Sequence, residues 1–136
     1  YFDAPVAKAL IKNFGLKQGA IASSVAHDSH NIVAVGVDDE SICRAVNLII
    51  EKRGGVSCVT SKNELVLPLP VAGLMSAEDG YNVAEQYSAI DKVAKEAGAT
   101  LSSPFMTLSF MALPVIPHLK LSDRGLFDGD RFELIS

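Results

Sequence analysis

The 136-residue sequence predicts an α+β domain: a mixed, largely antiparallel sheet built from two β-hairpin–helix units, helices packed on the sheet, and no barrel in this chain. Three observations carry this expectation. Two short apolar runs joined by a polar connector precede a stretch with helical spacing, and that order then repeats. Glycines and prolines fall at the joints between the runs. With 49% apolar side chains and no low-complexity stretch, residues 1–136 are read as one domain with a core that needs neither disulfide nor metal.

The elements follow in order. From Asp3 to Gly15, Pro5 suits a helix start, and Val6, Leu10, Ile11 and Phe14 fit one helical face, with a strand possible in the second half. Gly19–Ala26 and Asn31–Val37 read as strands. The second is β-branched and almost continuously apolar, as for a strand buried on both faces. Between them, His27 to His30 form a hairpin loop. Asp38 or Asp39 suits an N-cap, and Ile42, Ala45, Val46, Ile49 and Ile50 mark a helical stripe that Gly54-Gly55 stops. Val56–Thr60 is the next strand, Ser61-Lys62-Asn63 a turn, and Glu64–Leu69 an edge strand, because Pro68 and Pro70 lack backbone donors.

Ser76 with Asp79 forms a capping-box pattern before a helix whose face is Val83, Tyr87, Ile90 and Ala94, widened by Val93 and closed by Gly98. Ser103-Pro104 opens a short helix through Phe105, Leu108, Ser109 and Ala112, which Pro114 and Pro117 end. Asp123-Arg124-Gly125 is a turn, and Arg131–Ile135 a last strand.

Composition narrows the function. Twelve basic against 16 acidic side chains, with no basic cluster, argue against a nucleic-acid partner. No run of 18 apolar residues offers a membrane span. Two cysteines, Cys43 and Cys58, are too few for a disulfide scaffold; they suit a reducing compartment and read as small apolar fillers. The start at Tyr1, without Met or signal peptide, is that expected of a piece of something longer.

The outstanding polar feature is His27-Asp28-Ser29-His30-Asn31, with two imidazoles, a carboxylate, a hydroxyl and an amide at one hairpin tip. Its blandest reading is a solvated turn whose Asp28, Ser29 and Asn31 bond their own backbone. A self-contained metal site would join His27 and His30 to Asp28 or His118. A Ser-His-Asp site fits poorly, because three loop neighbours rarely reach relay geometry. A site completed by another domain or chain fits best, since it needs no full constellation here. Phe105 to Pro117 is apolar enough for a partner surface, although burial within the domain is the preferred reading.

Four blocks carry a family resemblance: Phe14-Gly-Leu-Lys-Gln-Gly through Val-Ala-His-Asp-Ser-His-Asn31, Leu69-Pro-Val-Ala-Gly-Leu-Met-Ser76, Pro104 through Pro117, and Leu119-Lys-Leu-Ser-Asp-Arg-Gly-Leu-Phe-Asp128. Together they resemble the C-terminal domain of bacterial adenine deaminases of the amidohydrolase superfamily. The resemblance implies a cytoplasmic purine-salvage enzyme that hydrolyses adenine to hypoxanthine and ammonia, with Mn or Fe in a (β/α)₈ barrel of about 250 residues. That barrel exceeds this chain, so the resemblance implies a C-terminal domain without its catalytic barrel. It follows that no cofactor, no metal ligand and no catalytic residue is expected here, and that the isolated domain is inactive. The implied partners are the barrel domain of the same chain, adenine as substrate, and further copies in a homo-oligomer. His27, Asp28, Ser29, His30 and Asn31 would then form an active-site loop facing the barrel mouth. The alternatives are a structural or oligomerisation module, and an autonomous metal-dependent hydrolase using His27 and His30.

Overall fold

In a computed structural model, which describes residues 5–135, the best-buried strand is β1 (Ala20–Ser23), whose four residues are all inaccessible. It pairs on one side with β2 (Val33–Gly36) and on the other with β3 (Gly55–Val59), which in turn pairs with β4 (Glu64–Pro68). The order is β2-β1-β3-β4, and every pair is antiparallel. The two hairpins are thus joined back to back through β1 and β3, with Ile21 opposite Cys58 and Ser23 opposite Val56. Helix α1 (Asp39–Glu51) covers one face. Helices α2 (Gly80–Glu96) and α3 (Pro104–Phe110) cover the other. The α+β class and the hairpin–helix order are as the sequence predicts. Beyond the core, β5 (Leu119–Ser122), β6 (Gly125–Asp128) and β7 (Glu133–Leu134) form a separate antiparallel sheet.

The two faces of the main sheet differ in kind. Toward α2 and α3 lie Ile21, Val56, Cys58 and Leu67, packed with Phe14, Ile90, Phe105 and Leu108. Toward α1 the sheet offers small side chains, Ala20, Ala22 and Ala34 with Val59 and Val66, beneath Ala45, Leu48 and Ile49. Gly36 belongs to this small-residue face; a Cβ there would lie 2.6 Å from that of Ala20 and 2.7 Å from Ile42. Ser57 donates to the Ala45 carbonyl at 2.8 Å, tying α1 to β3.

Several local expectations are corrected. Asn31–Val37 is not a doubly buried strand: β2 is an edge strand, half-buried, and β1 and β3 take the interior places. Ile50 is 58% exposed, because the buried face of α1 runs through Ala45, Leu48 and Ile49. That helix starts from Asp38, whose carboxylate accepts from the Ser41 amide at 2.7 Å. It ends with Arg53, not a glycine, in the left-handed region (φ 60), while the Arg53 and Gly54 amides donate to Ile50 and Ile49. Asp79 alone caps α2; Ser76 instead accepts from the Glu78 amide one turn earlier. Gly98 does close α2, its amide and that of Ala99 donating to Lys95 and Ala94. Ser103 precedes α3 without a side-chain cap bond. Residues 5–13 form no helix and leave Val6 and Leu10 in solvent, although Phe14 enters the core; the Asp3 end of that stretch lies outside the described residues. No described helix is long and apolar enough to cross a membrane.

The cysteines also separate. Cys43 is exposed and Cys58 buried, so Cys43 is no core filler. Burial pushes the Cys58 thiol up to about 11. At pH 8 a thiol reagent is expected to label one cysteine in the native protein and two after denaturation. Labelling of both in the native state would show that the β1–β3 core opens.

Candidate functional site

Antiparallel pairing brings the end of β1, the starts of β2 and β3 and the end of β4 to one end of the sheet. The connection between β1 and β2 lies there. It starts at Ser24, which is buried and triply engaged. Its amide donates to the Gly55 carbonyl at 3.0 Å. Its hydroxyl accepts from the Gly55 amide at 2.9 Å and donates to the Gly73 carbonyl at 2.5 Å. One side chain therefore joins three loops. Gly54-Gly55 is explained by this junction and not by stopping a helix: a Cβ on Gly54 would collide with the Gly73 backbone, and one on Gly55 with the Leu67 carbonyl.

The histidine loop hangs from this junction. The His27 amide donates to the Ser109 carbonyl at 3.2 Å, and the His27 ring sits 5.1 Å, centroid to centroid, from Phe110. The last turn of α3 thus holds the start of the loop. The His30 amide closes a turn onto the Ala26 carbonyl at 2.6 Å, with His30 in the left-handed region (φ 53). The two imidazoles meet edge to face, 5.7 Å apart. Asn31 donates to the Ser29 hydroxyl at 3.3 Å. Asp28, Ser29 and Asn31 are exposed and His27 and His30 half-buried. His30 Nδ1 is buried without a hydrogen-bond partner.

The structure therefore brings His27, Asp28, Ser29, His30 and Asn31 together, as one loop must, and orients the imidazoles inward with the other three outward. His118 does not join them. Its Nδ1 pairs with Asp130 at 2.5 Å, beside the second sheet. Among the described residues, no three His, Cys, Asp or Glu side chains are grouped to hold a metal ion, so the three-ligand site sketched from His27, His30 and His118 is not formed. Nor does the Ser29 hydroxyl bond an imidazole among the described residues, as a nucleophile's would; it accepts from Asn31.

Three contributors were not foreseen from sequence: Ser24, Gly73 and Phe110. The available signals were a glycine doublet directly before a strand and the small-residue run Val71-Ala72-Gly73, both marks of close backbone approach. At the opposite end of the sheet, Arg44 binds Glu64 at 2.7 Å and Glu51 at 3.2 Å. Hydrogen bonding to Arg44 holds the Glu64 carboxyl below its usual range, and Glu64 raises the Arg44 guanidinium in return. This exposed cluster is structural and screened by solvent.

Comparison with known proteins adds identity to geometry. A family described as the adenine deaminase C-terminal domain matches residues 2–133. The chain is 56% identical over 135 residues to an adenine deaminase of Methanosarcina acetivorans, covering 99% of this chain and 24% of that protein. It is 59% identical over 136 residues to one of Sulfurovum sp., covering 99% and 26%. With the Borreliella burgdorferi protein of the same name it shares 47% over 131 residues, covering 96% and 24%. The chain thus spans about a quarter of the length of these relatives.

Proposed function

The chain belongs to the adenine deaminase C-terminal domain family, and from that premise we propose that it serves an enzyme hydrolysing adenine to hypoxanthine and ammonia, its His27–Asn31 loop facing the adenine pocket. The observation that carries the proposal is the loop itself: two imidazoles, a carboxylate and a hydroxyl on a short connection fastened by Ser24, Ser109 and Phe110. In the overall reaction water adds at C6 of the purine and the amino group leaves as ammonia, so protons must leave the water and reach the departing nitrogen. Imidazole and carboxylate groups are suited to hold such protons or to bind ring nitrogens. The His30 Nδ1 is a buried polar atom that the domain's own hydrogen bonds leave unsatisfied.

In the same reading the Mn or Fe that the resemblance implies is held by the rest of the longer protein; among the described residues no three His, Cys, Asp or Glu side chains group to hold it. The isolated domain is accordingly inactive in this reading, packs on the metal-bearing barrel, and works in cytoplasmic purine salvage as part of a homo-oligomer. A second reading, a module for packing and oligomerisation alone, draws on exposed Leu119, Phe132 and Leu134 at the second sheet.

Replacing Asp28 or His30 by Ala in the full-length protein decides between them. The proposal expects kcat/KM for adenine to fall at least about tenfold in one or both variants, within the span of a lost acid–base or binding group. Unchanged kcat/KM in both would leave the loop with a packing role only.

A further inference from the structure

The end of the sheet that bears the histidine loop also carries an apolar groove of about 370 Å³. Ile32, Ile50, Pro70 and Ala72 line it together with Ser24, and Arg53 is the one charged residue in the lining. Ile32 and Ile50 are 39% and 58% exposed, and Arg53 makes no ion pair among the described residues. We propose that this groove is the docking site for the larger, N-terminal portion of the same polypeptide, which inserts an apolar segment flanked by a carboxylate. The proposal rests on the reading of the chain as part of a longer adenine deaminase.

Three observations favour that occupant. The relatives extend about three-quarters of their length beyond the region matched here, so a large partner is covalently attached. The groove and the loop are mechanically one: Ser24 lines the groove, donates to the carbonyl of Gly73 in the lining, binds Gly55 next to the lining residue Gly54, and stands three residues before His27. Whatever fills the groove therefore lies beside the loop. A second copy of this domain fits worse, because a twofold contact through this groove would set Arg53 against Arg53 without supplying an anion from the lining.

The test uses the full-length protein with Ile50→Glu, Arg53→Glu and the control Val37→Glu. Val37 is half-exposed and lies beyond the other end of β2. Ile50 is open to solvent when the groove is empty, so Glu is tolerated by the domain itself; Ile50→Ala serves as a milder variant acting in the same direction. In Ile50→Glu and Arg53→Glu, calorimetry is expected to resolve two thermal transitions where the parent shows one. A protease is expected to cut between the two portions at least tenfold faster. Val37→Glu should change neither. If Ile50→Glu melts and is cleaved like Val37→Glu, the proposal is overturned. It is equally overturned if Ile50→Glu keeps one transition but halves the assembly mass by light scattering, which would place the groove between copies. Separated transitions in Ile50→Glu, together with unchanged kcat/KM in Asp28→Ala and His30→Ala, would support the docking site and sink only the catalytic role of the loop.

Discussion

Gly54→Ala is expected to destabilise the domain by about 3 kcal/mol or more, the scale of combined backbone strain and overpacking. At φ 126 the residue occupies a region that L side chains rarely adopt. A methyl group there would also meet the Gly73 backbone and lie 2.7 Å from the Leu69 carbonyl. Both obstacles are main chain, so no rotamer change relieves them. The displaced turn would take Gly73 away from the Ser24 hydroxyl and cost the hydrogen bond between them, leaving that hydroxyl only its contacts with Gly55. Urea denaturation of parent and variant measures the difference. A loss below about 1 kcal/mol would mean that the turn at residues 69–75 yields freely, contrary to the packing described.

Phe105→Ala is expected to cost about 3–5 kcal/mol, the range for truncating a buried phenylalanine. Phe105 is buried with Ile21, Ile90 and Leu108, its ring 6.0 Å from that of Tyr87. Burial in the same region raises the Tyr87 phenol above its ordinary value, with the Asp91 charge adding to the effect. Helix α3 has seven residues, too few to hold by helix propensity alone, so Phe105 and Leu108 supply its attachment. Met106, half-exposed beside Phe105, provides the contrast: Met106→Ala should stay within about 0.5 kcal/mol. Equal losses at the two positions would show that the helix, and not its buried face, determines the cost. Because Ser109 and Phe110 hold His27, Phe105→Ala should also loosen the loop.

The sequence made some of this legible and concealed the rest for identifiable reasons. Strand and helix order followed from periodicity, and the edge place of β4 from its prolines, because both signals are local. Which strand lies at the centre was not local. Asn31–Val37 is richer in β-branched residues than Gly19–Ala26, yet of these two it is β1, whose alanines admit a helix on one side, that lies inside the sheet, next to β3. Ile50 leaves the predicted stripe and Leu48 joins the buried face for a related reason: a helical stripe gives a spacing, while the sheet beneath selects which flank is covered. At the candidate site the loop residues stood out by composition, but their anchors did not. Ser24 looks like any serine near a strand end until Gly55 and Gly73, 31 and 49 residues away, are folded against it. The distant His118 could not be placed by spacing either, and it serves Asp130.

The methyl-lined face beneath α1 has a mechanical consequence. Flexible side chains between two layers act as a cushion, allowing a helix to slide or tilt as they change rotamer. Between α1 and the sheet the cushion is thin. Ala20, Ala22, Ala34 and Ala45 have no rotamers to change, the β-branched Val59, Val66 and Ile49 have few, and Leu48 is the longest flexible side chain among the buried residues. Ser57 holds a backbone carbonyl of the helix. Helix and sheet therefore move as one stiff plate. The last turn of that helix leads directly into Gly54 and Gly55, and so to Ser24. That turn and the root of the histidine loop are therefore joined by a short stretch of backbone and one hydrogen bond, so the loop's position depends on contacts made some distance from it.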